Sequence, residues 1–476
     1  LPLLPVEVGR LPHAVLQMLT QEGLPWQARG SAPVTRFLLW DSRRERPQPR
    51  PGQRLLDIGP LLDALPRDVL ADRDSSRPTQ WQLGNWTLCE QTARHDRRAV
   101  RRRFATRLRT LLEEAGGVWL AVSPYPAPYR SWFGFRLDHD CYRADDFAAV
   151  LRAIRGQEHA VSHYVNADGY SQAADALWAL RGWHVGSHGY WHHTYRSVKE
   201  NLHNLRRGIE WLQQAGHAPV GCVAPHGRYH QGLAEALRQL GVDHSSEFAL
   251  AWDELPFFPA GSPVLQVPVH PVCLGLALEA AARKGAGEEE LQRAAEITAE
   301  HFVRLIHQRH QAGEPLILYG HPDGRLGRYP HVLRRALDSA AALTGCWMAH
   351  LAEISSWWRA RQEVRLQVEG RPGGCLVRAV NLPERYAIGC VIRRGTAQAR
   401  VVLRSSLTEV RWDELSFEPE ARAQPQGLVV RGGPCRRSWR DRLRACLDWE
   451  RVTPLGELRG GGIRGWAKRT LRRIGA

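Results

Sequence analysis

SWFGFRLDHDCYRADDF, residues 131–147, starts as an apolar run and finishes in three groups that bind metals or move protons: Asp138, His139 and Asp140. A helix-like segment follows. Successive side chains of a strand alternate sides, so Asp138 and Asp140, two apart, project to the same side. One carboxylate could then hold a cation while the other handles a proton. A pair of aspartates two apart is common in loops, so the spacing has weight only through what surrounds it.

From 129 to 362 short apolar runs alternate with helix-patterned segments. After the opening run come "HAVSHYVN" (159–166), "WHVGSH" (183–188), "APVGCVAP" (218–225), "VLQVPVH" (264–270), "PLILYGH" (315–321) and "GCWMAHL" (345–351). Helical patterning covers 144–156, 171–181, 196–215, 230–240, 287–311 and 330–343. Such alternation predicts parallel strands with helices outside, as an α/β barrel or open sheet. Several runs end in polar or ionisable residues: Asp138, Asn166, His188, His270 and His321. In parallel α/β folds the C-terminal strand ends form the active-site face.

The flanks differ in character. Residues 1–128 read as a mixed α/β region, with "RRERPQPRPGQR" (43–54) as a linker. Within it, "DRRAVRRRFATRLRTLLEEAG" (96–116) is expected to be a helix with Leu108, Leu111 and Leu112 on its apolar side and its basic block solvated. Residues 363–455 break into short runs divided by Gly, Pro and Asn, the pattern of a small β-sandwich. The basic tail, 456–476, fits either a short amphipathic helix lying on an acidic surface or membrane or an ordinary frayed terminus.

Across its 476 residues the chain carries a net charge of +16, with three lysines among 65 basic residues. No nucleic-acid-binding motif and no basic stripe interleaved with aromatics accompanies that charge, so nucleic acid is not the expected partner. Nine cysteines, an odd number without a CxxC pair, fit free and mostly buried thiols in a reducing compartment. A cytoplasmic location, with peripheral membrane contact through the tail, is the expectation. No apolar run reaches the roughly 20 residues of a membrane span.

Histidines four apart can close on one ion, and neutral imidazole is a good zinc donor. The pairs 159/163, 184/188, 188/192 and 226/230 all have this spacing, where chance supplies about one. Position favours His188 and His192, at a strand end and one βαβ unit after the aspartates. His184 lies inside its strand and is expected to pack in the core.

In order, "FRLDHD" (135–140), "SHGYWH" (187–192), "CVAPHGRY" (222–229), "SSEFALAWDELPFF" (245–258) and "LILYGHP" (316–322) resemble the motifs of the polysaccharide deacetylases, carbohydrate esterase family four. The resemblance covers about half the chain. It implies a distorted (β/α) barrel, here flanked by the N-terminal mixed region and the C-terminal β-sandwich. It implies Asp138 as general base, Asp140, His188 and His192 as metal ligands, and His321 as general acid. His139 splits the aspartate pair, which leaves open which carboxylate touches the metal. Gly189 stands where the family has Ser or Thr. Val223 stands where it has an arginine that orients the base; Arg136 or Arg228 could replace that charge. Pro225, Trp252 and Asp253 match the proline loop and the acidic, aromatic segment. His139 is a candidate for a supporting contact, and His193 and His270 are either supporting or simply packed in the core.

The implied chemistry is hydrolysis of an N-acyl group on an amino sugar or glycan. Three protein ligands leave a coordination position for water. Zinc is the default cation, with nickel, cobalt or manganese also compatible with two imidazoles and a carboxylate. Two alternatives stay open: a catalytically altered carbohydrate-binding protein, and a metal hydrolase acting on a non-sugar amide.

Overall fold

The computed structural model describes residues 1–70, 76–248, 250, 253–420, 429–431, 443, 446–448 and 462–473. At its centre is a curled, parallel, eight-stranded sheet. In chain order its strands are Ser131–His139, Val161–Val165, His184–Ser187, Gly221–Cys222, His244–Ser245, Leu265–Gln266, Leu316–Gly320 and Cys346–Met348. The sixth, fifth, fourth, third, second, first and seventh lie side by side in that order, and the eighth pairs with the start of the first. All nine residues of the first strand are buried, so it is the spine of the sheet. The architecture is the distorted barrel expected from the alternating runs.

Register decides where the chemistry falls. Asp138 pairs with Tyr164 and His139 with Val165. Val165 pairs with Ser187, and Gly320 pairs with Leu137. The residues just past these pairs, Asp140, Asn166, His188 and His321, therefore emerge together at one rim. His270 does not join them through a strand. The apolar run 264–270 is a strand only at Leu265–Gln266, because Pro268 lacks the N–H that the ladder needs.

The outer helices are Ala144–Ile154, Val198–Gln214, Gln231–Gln239, Glu288–Gln311 and Pro330–Ala341. Ser197 caps the second of these by accepting from the Glu200 amide. The segment expected as a helix over 171–181 is instead the tight 3₁₀ stretch Ala174–Leu180, preceded by a single turn at Ala167–Tyr170.

The flanking regions are interleaved rather than separate. Parallel strands Trp26–Ala28, Val6–Val8, Phe37–Trp40 and Arg54–Asp57 form one N-terminal sheet in that spatial order. The strand Trp119–Pro126, assigned by sequence to the N-terminal region, pairs antiparallel with Ile388–Arg394 of the C-terminal region. It completes a sheet with Ala397–Leu403 and Glu418–Pro419, beside a second antiparallel sheet of Arg365–Arg371, Gly374–Val380 and Leu407–Arg411. Val429–Arg431 returns to pair with Ser76–Leu83 of an N-terminal hairpin. The expected divisions at 128 and 363 are thus crossed by backbone hydrogen bonds.

The helix Arg97–Glu114, capped by Asp96, corrects another expectation. Its basic block is solvated only in part: Arg97, Arg98, Arg101 and Arg109 are buried, while Arg103 and Arg107 are exposed. Arg101 bonds Asp253 at 3.0 Å and pairs with Glu22, Arg98 bonds Glu254 at 2.8 Å and Glu314 at 3.1 Å, and Arg109 bonds Glu420 at 2.9 Å. The basic block welds this helix to the barrel. Cys89, in the hairpin, is disulfide-bonded, which contradicts a set of wholly free thiols and weakens the case for a reducing compartment. The other cysteines among the described residues are free. No described helix is long and apolar enough to cross a membrane.

At the opposite end of the barrel His184 stacks on His350 with ring centres 4.8 Å apart, and His244 bonds the Tyr164 hydroxyl at 2.7 Å. His350 caps the helix Leu351–Glu363, its Nδ1 accepting from the Glu353 amide, which requires a neutral ring. Burial, aided by the His244 and Arg385 charges, pushes the His350 imidazole down to about 4. Its folded value lies below the unfolded value of about 6.5, so the unfolded chain binds more protons between the two. Its contribution to stability is complete above about pH 6.5 and is lost as pH falls toward 4. We expect the thermal midpoint to drop across that window, and His350→Asn, which keeps a cap without a titrating ring, to flatten the slope.

Candidate metal site

Asp140, His188 and His192 meet at the rim. One donor atom from each can be chosen so that all lie within 4.8 Å of one another. Asp140 Oδ1 stands 3.4 Å from His188 Nε2 and 3.1 Å from His192 Nε2. His188 donates its Nδ1–H to the Val223 carbonyl at 2.8 Å, so its Nε2 lone pair faces the carboxylate. Two electron-rich atoms facing each other call for a positive charge between them. Burial alone would raise the Asp140 carboxyl. The imidazoles that face it, His192 first, nonetheless hold it well below the usual carboxylate range.

The loop bearing His192 is held by one side chain that the sequence did not mark. Asn204, buried in the helix Val198–Gln214, accepts from the amides of Tyr190 and Trp191 at 3.0 and 2.7 Å. It donates to the carbonyls of Trp191 and His193 at 3.1 and 2.9 Å. Gly189 has a reason to depart from Ser or Thr: its φ is +80°, and a Cβ there would meet Asn204 Nδ2 at 3.0 Å.

Asp138 sits on the same strand as Asp140 and is 3% exposed. Its Oδ2 accepts from Arg136 Nη2 at 2.7 Å, and its Oδ1 is buried without a partner. Arg136 is fully buried, donates to the carbonyl and hydroxyl of Ser246, and lies over the Tyr319 ring at 4.7 Å. An arginine, absent at Val223, thus reaches Asp138 from two residues earlier on the same strand. His321 closes the ring of groups, its Nε2 3.7 Å from Asp140 Oδ2. A rim at the C-terminal ends of a curled parallel sheet, carrying two aspartates from the first strand, two histidines from the third and one from the seventh, decides the architecture. The fold is a distorted parallel (β/α) barrel.

No protein-family model and no curated protein matches the chain. Solved structures resemble part of the chain. One is designated a polysaccharide deacetylase from Mycobacterium smegmatis, 18% identical, with a TM-score of 0.43 over 52% of this chain and 96% of that one. Another is the PuuE allantoinase, 14% identical, with a TM-score of 0.40 over 50% and 93%. A third is a CE4 family pseudoenzyme from Bacillus anthracis, 10% identical, with a TM-score of 0.33 over 59% and 90%.

The remaining predicted residues divide. Pro225 lies in the turn Pro225–Gly227, its carbonyl accepting from the Thr194 hydroxyl at 3.2 Å. Arg228 is half-buried just beyond that turn, and its charge acts on His226. His139 and Asp253 are corrected, and His270 takes the core alternative. His139 turns away from the rim and bonds Tyr170 and His163 at 2.8 and 2.9 Å, because strand alternation sends it opposite to its neighbours. Asp253 is spent on Arg101 and Gln21 of the N-terminal region. His270 packs edge-on against Phe302, with its Nδ1 at the Val272 amide. Trp252 lies outside the described residues. His193 bonds Asp448 at 3.0 Å.

Two site neighbours had no clear signal in the sequence. His226 lies edge-on to His192, ring centres 4.8 Å apart, in the left-handed backbone region at φ 59°. Non-glycine residues are uncommon there and concentrate at functional sites. Cys273 Sγ contacts His321 Nδ1 at 3.4 Å and also accepts from the Gly275 amide.

Proposed function

We propose that the chain is a metal-dependent hydrolase that removes an acetyl or formyl group from the nitrogen of an amino sugar or glycan. Asp140, His188 and His192 would hold the cation, zinc by default, with nickel, cobalt or manganese compatible with the donor set. When bound, the cation supplies Lewis acidity to the amide carbonyl and to water. Asp138 takes a proton from the attacking water, with Arg136 keeping its second oxygen turned toward the site. His321 delivers a proton to the departing amine, which leaves poorly unless protonated.

Burial pushes the His321 imidazole down to about 4, against the charges of Asp140 and Asp138. The ring must therefore take up a proton in the course of the reaction before it can serve as the acid. The observation that carries the proposal is the convergence, on one rim, of three ligand side chains and a buried carboxylate held by arginine on one oxygen and open on the other.

The test is release of acetate or formate from N-acylated sugars, glycan polymers and nucleotide sugars by metal-loaded protein. Release that depends on stoichiometric divalent metal is expected. A chain that binds the metal but frees no acyl group from any of them would be a binding protein on this fold, and the hydrolase reading would fail.

A further inference from the structure

The basic tail contains the helix Ile463–Arg473. Five of its residues are arginine or lysine, and none is acidic. Its orientation is the reverse of an ordinary surface helix, which turns its apolar stripe inward. Ile463 and Trp466, on one face, are 86% and 64% exposed. Gly465 and Lys468, on the other side, are buried.

The inward side sits against the catalytic end of the barrel. Asp448 bonds His193 Nε2 at 3.0 Å and accepts from the Arg196 amide at 2.8 Å. Lys468 lies close enough for its charge to act on the Asp448 carboxylate. The loop 193–196 follows His192 directly, so the outward face of the helix is presented beside the loop that carries a candidate metal ligand.

We propose that the helix Ile463–Arg473 docks this chain on an anionic lipid bilayer, with Ile463 and Trp466 entering the headgroup layer. An interfacial helix combines an outward apolar face, an aromatic residue suited to the membrane–water boundary, and basic flanks drawn to acidic lipid. This helix has all three. Of its described basic side chains, Arg469 is exposed with that face and Lys468 is turned in. The proposal stands whether or not the hydrolase reading holds.

The full chain is tested by co-sedimentation with vesicles of phosphatidylcholine alone and of phosphatidylcholine with phosphatidylglycerol, at low and high salt. Binding is expected only to the anionic vesicles, and salt weakens it by screening. The double variant I463S/W466S loses about tenfold or more in vesicle affinity at an unchanged thermal midpoint. Three vesicle results overturn the proposal: no binding, equal binding to both vesicle types, or undiminished binding by the double variant. So does a self-association in sedimentation velocity that the double variant abolishes, since a second copy would then be what covers the face. Binding of a duplex oligonucleotide in preference to anionic vesicles also counts against it.

Discussion

Under the proposed function, His188→Ala is expected to lose cation binding and, with it, hydrolysis. His188 brings a pre-set nitrogen: its Nδ1–H is committed to the Val223 carbonyl, which fixes the tautomer and aims Nε2 at Asp140. Removing it leaves one imidazole and one carboxylate, too few for a firm site. The Lewis acid is worth several kcal/mol of transition-state stabilisation, so kcat should fall on the order of 1,000-fold or more. Metal content and acyl release measured on the same preparation check this. His184→Phe, at the other end of the same strand, is the contrast and should keep stoichiometric metal. Full metal occupancy in His188→Ala would sink the assigned ligand set.

Arg136→Met should be nearly as damaging, for a different reason. Methionine keeps much of the volume but leaves Asp138 buried with no charge partner. Breaking a buried pair in this way costs about 3–5 kcal/mol. The catalytic effect follows from orientation, since a positioned general base contributes about 100- to 10,000-fold. We expect kcat to fall about 100-fold or more, with KM little changed because Arg136 is fully buried and cannot touch substrate. Arg136→Lys, which can remake the bond to Asp138 but not the fork to Ser246, should recover part of both losses. Urea unfolding and steady-state kinetics on metal-loaded protein measure the two effects separately. An Arg136→Met enzyme with unchanged kcat would remove Asp138 from the role of base.

The barrel was legible because its strands are short, fully buried and end in ionisable residues. Period and punctuation carry that information locally. The rim could be assembled from sequence because parallel strands in register place their C-terminal ends together, so Asp138, Asp140, His188 and His321 needed no long-range knowledge. Arg136 was visible as a candidate but could not be chosen over Arg228, since only the alternation of the built strand shows which guanidinium reaches Asp138.

His270 stayed open between site and core because an apolar run containing Pro268 still looks continuous on paper. Asp253 misled because an acidic residue beside an aromatic reads the same whether it faces substrate or an arginine 152 positions earlier. The buried arginines of Arg97–Glu114 could not be told from a solvated face, because their partners Glu254, Glu314 and Glu420 come from distant parts of the chain. Cys89 was unreadable for the same reason, as a count of cysteines carries no connectivity.

The pairing of Trp119–Pro126 with Ile388–Arg394 has a bearing on biogenesis. During synthesis the earlier strand leaves the ribosome long before its antiparallel partner exists, as does the hairpin strand that awaits Val429–Arg431. Until then the nascent chain carries open β-edges that invite mispairing with other molecules. The barrel can close on its own schedule, but the outer sheets must wait for the C-terminal third. Production of this protein should therefore respond to slowed translation and to holding chaperones, and a fragment ending before residue 388 should be aggregation-prone.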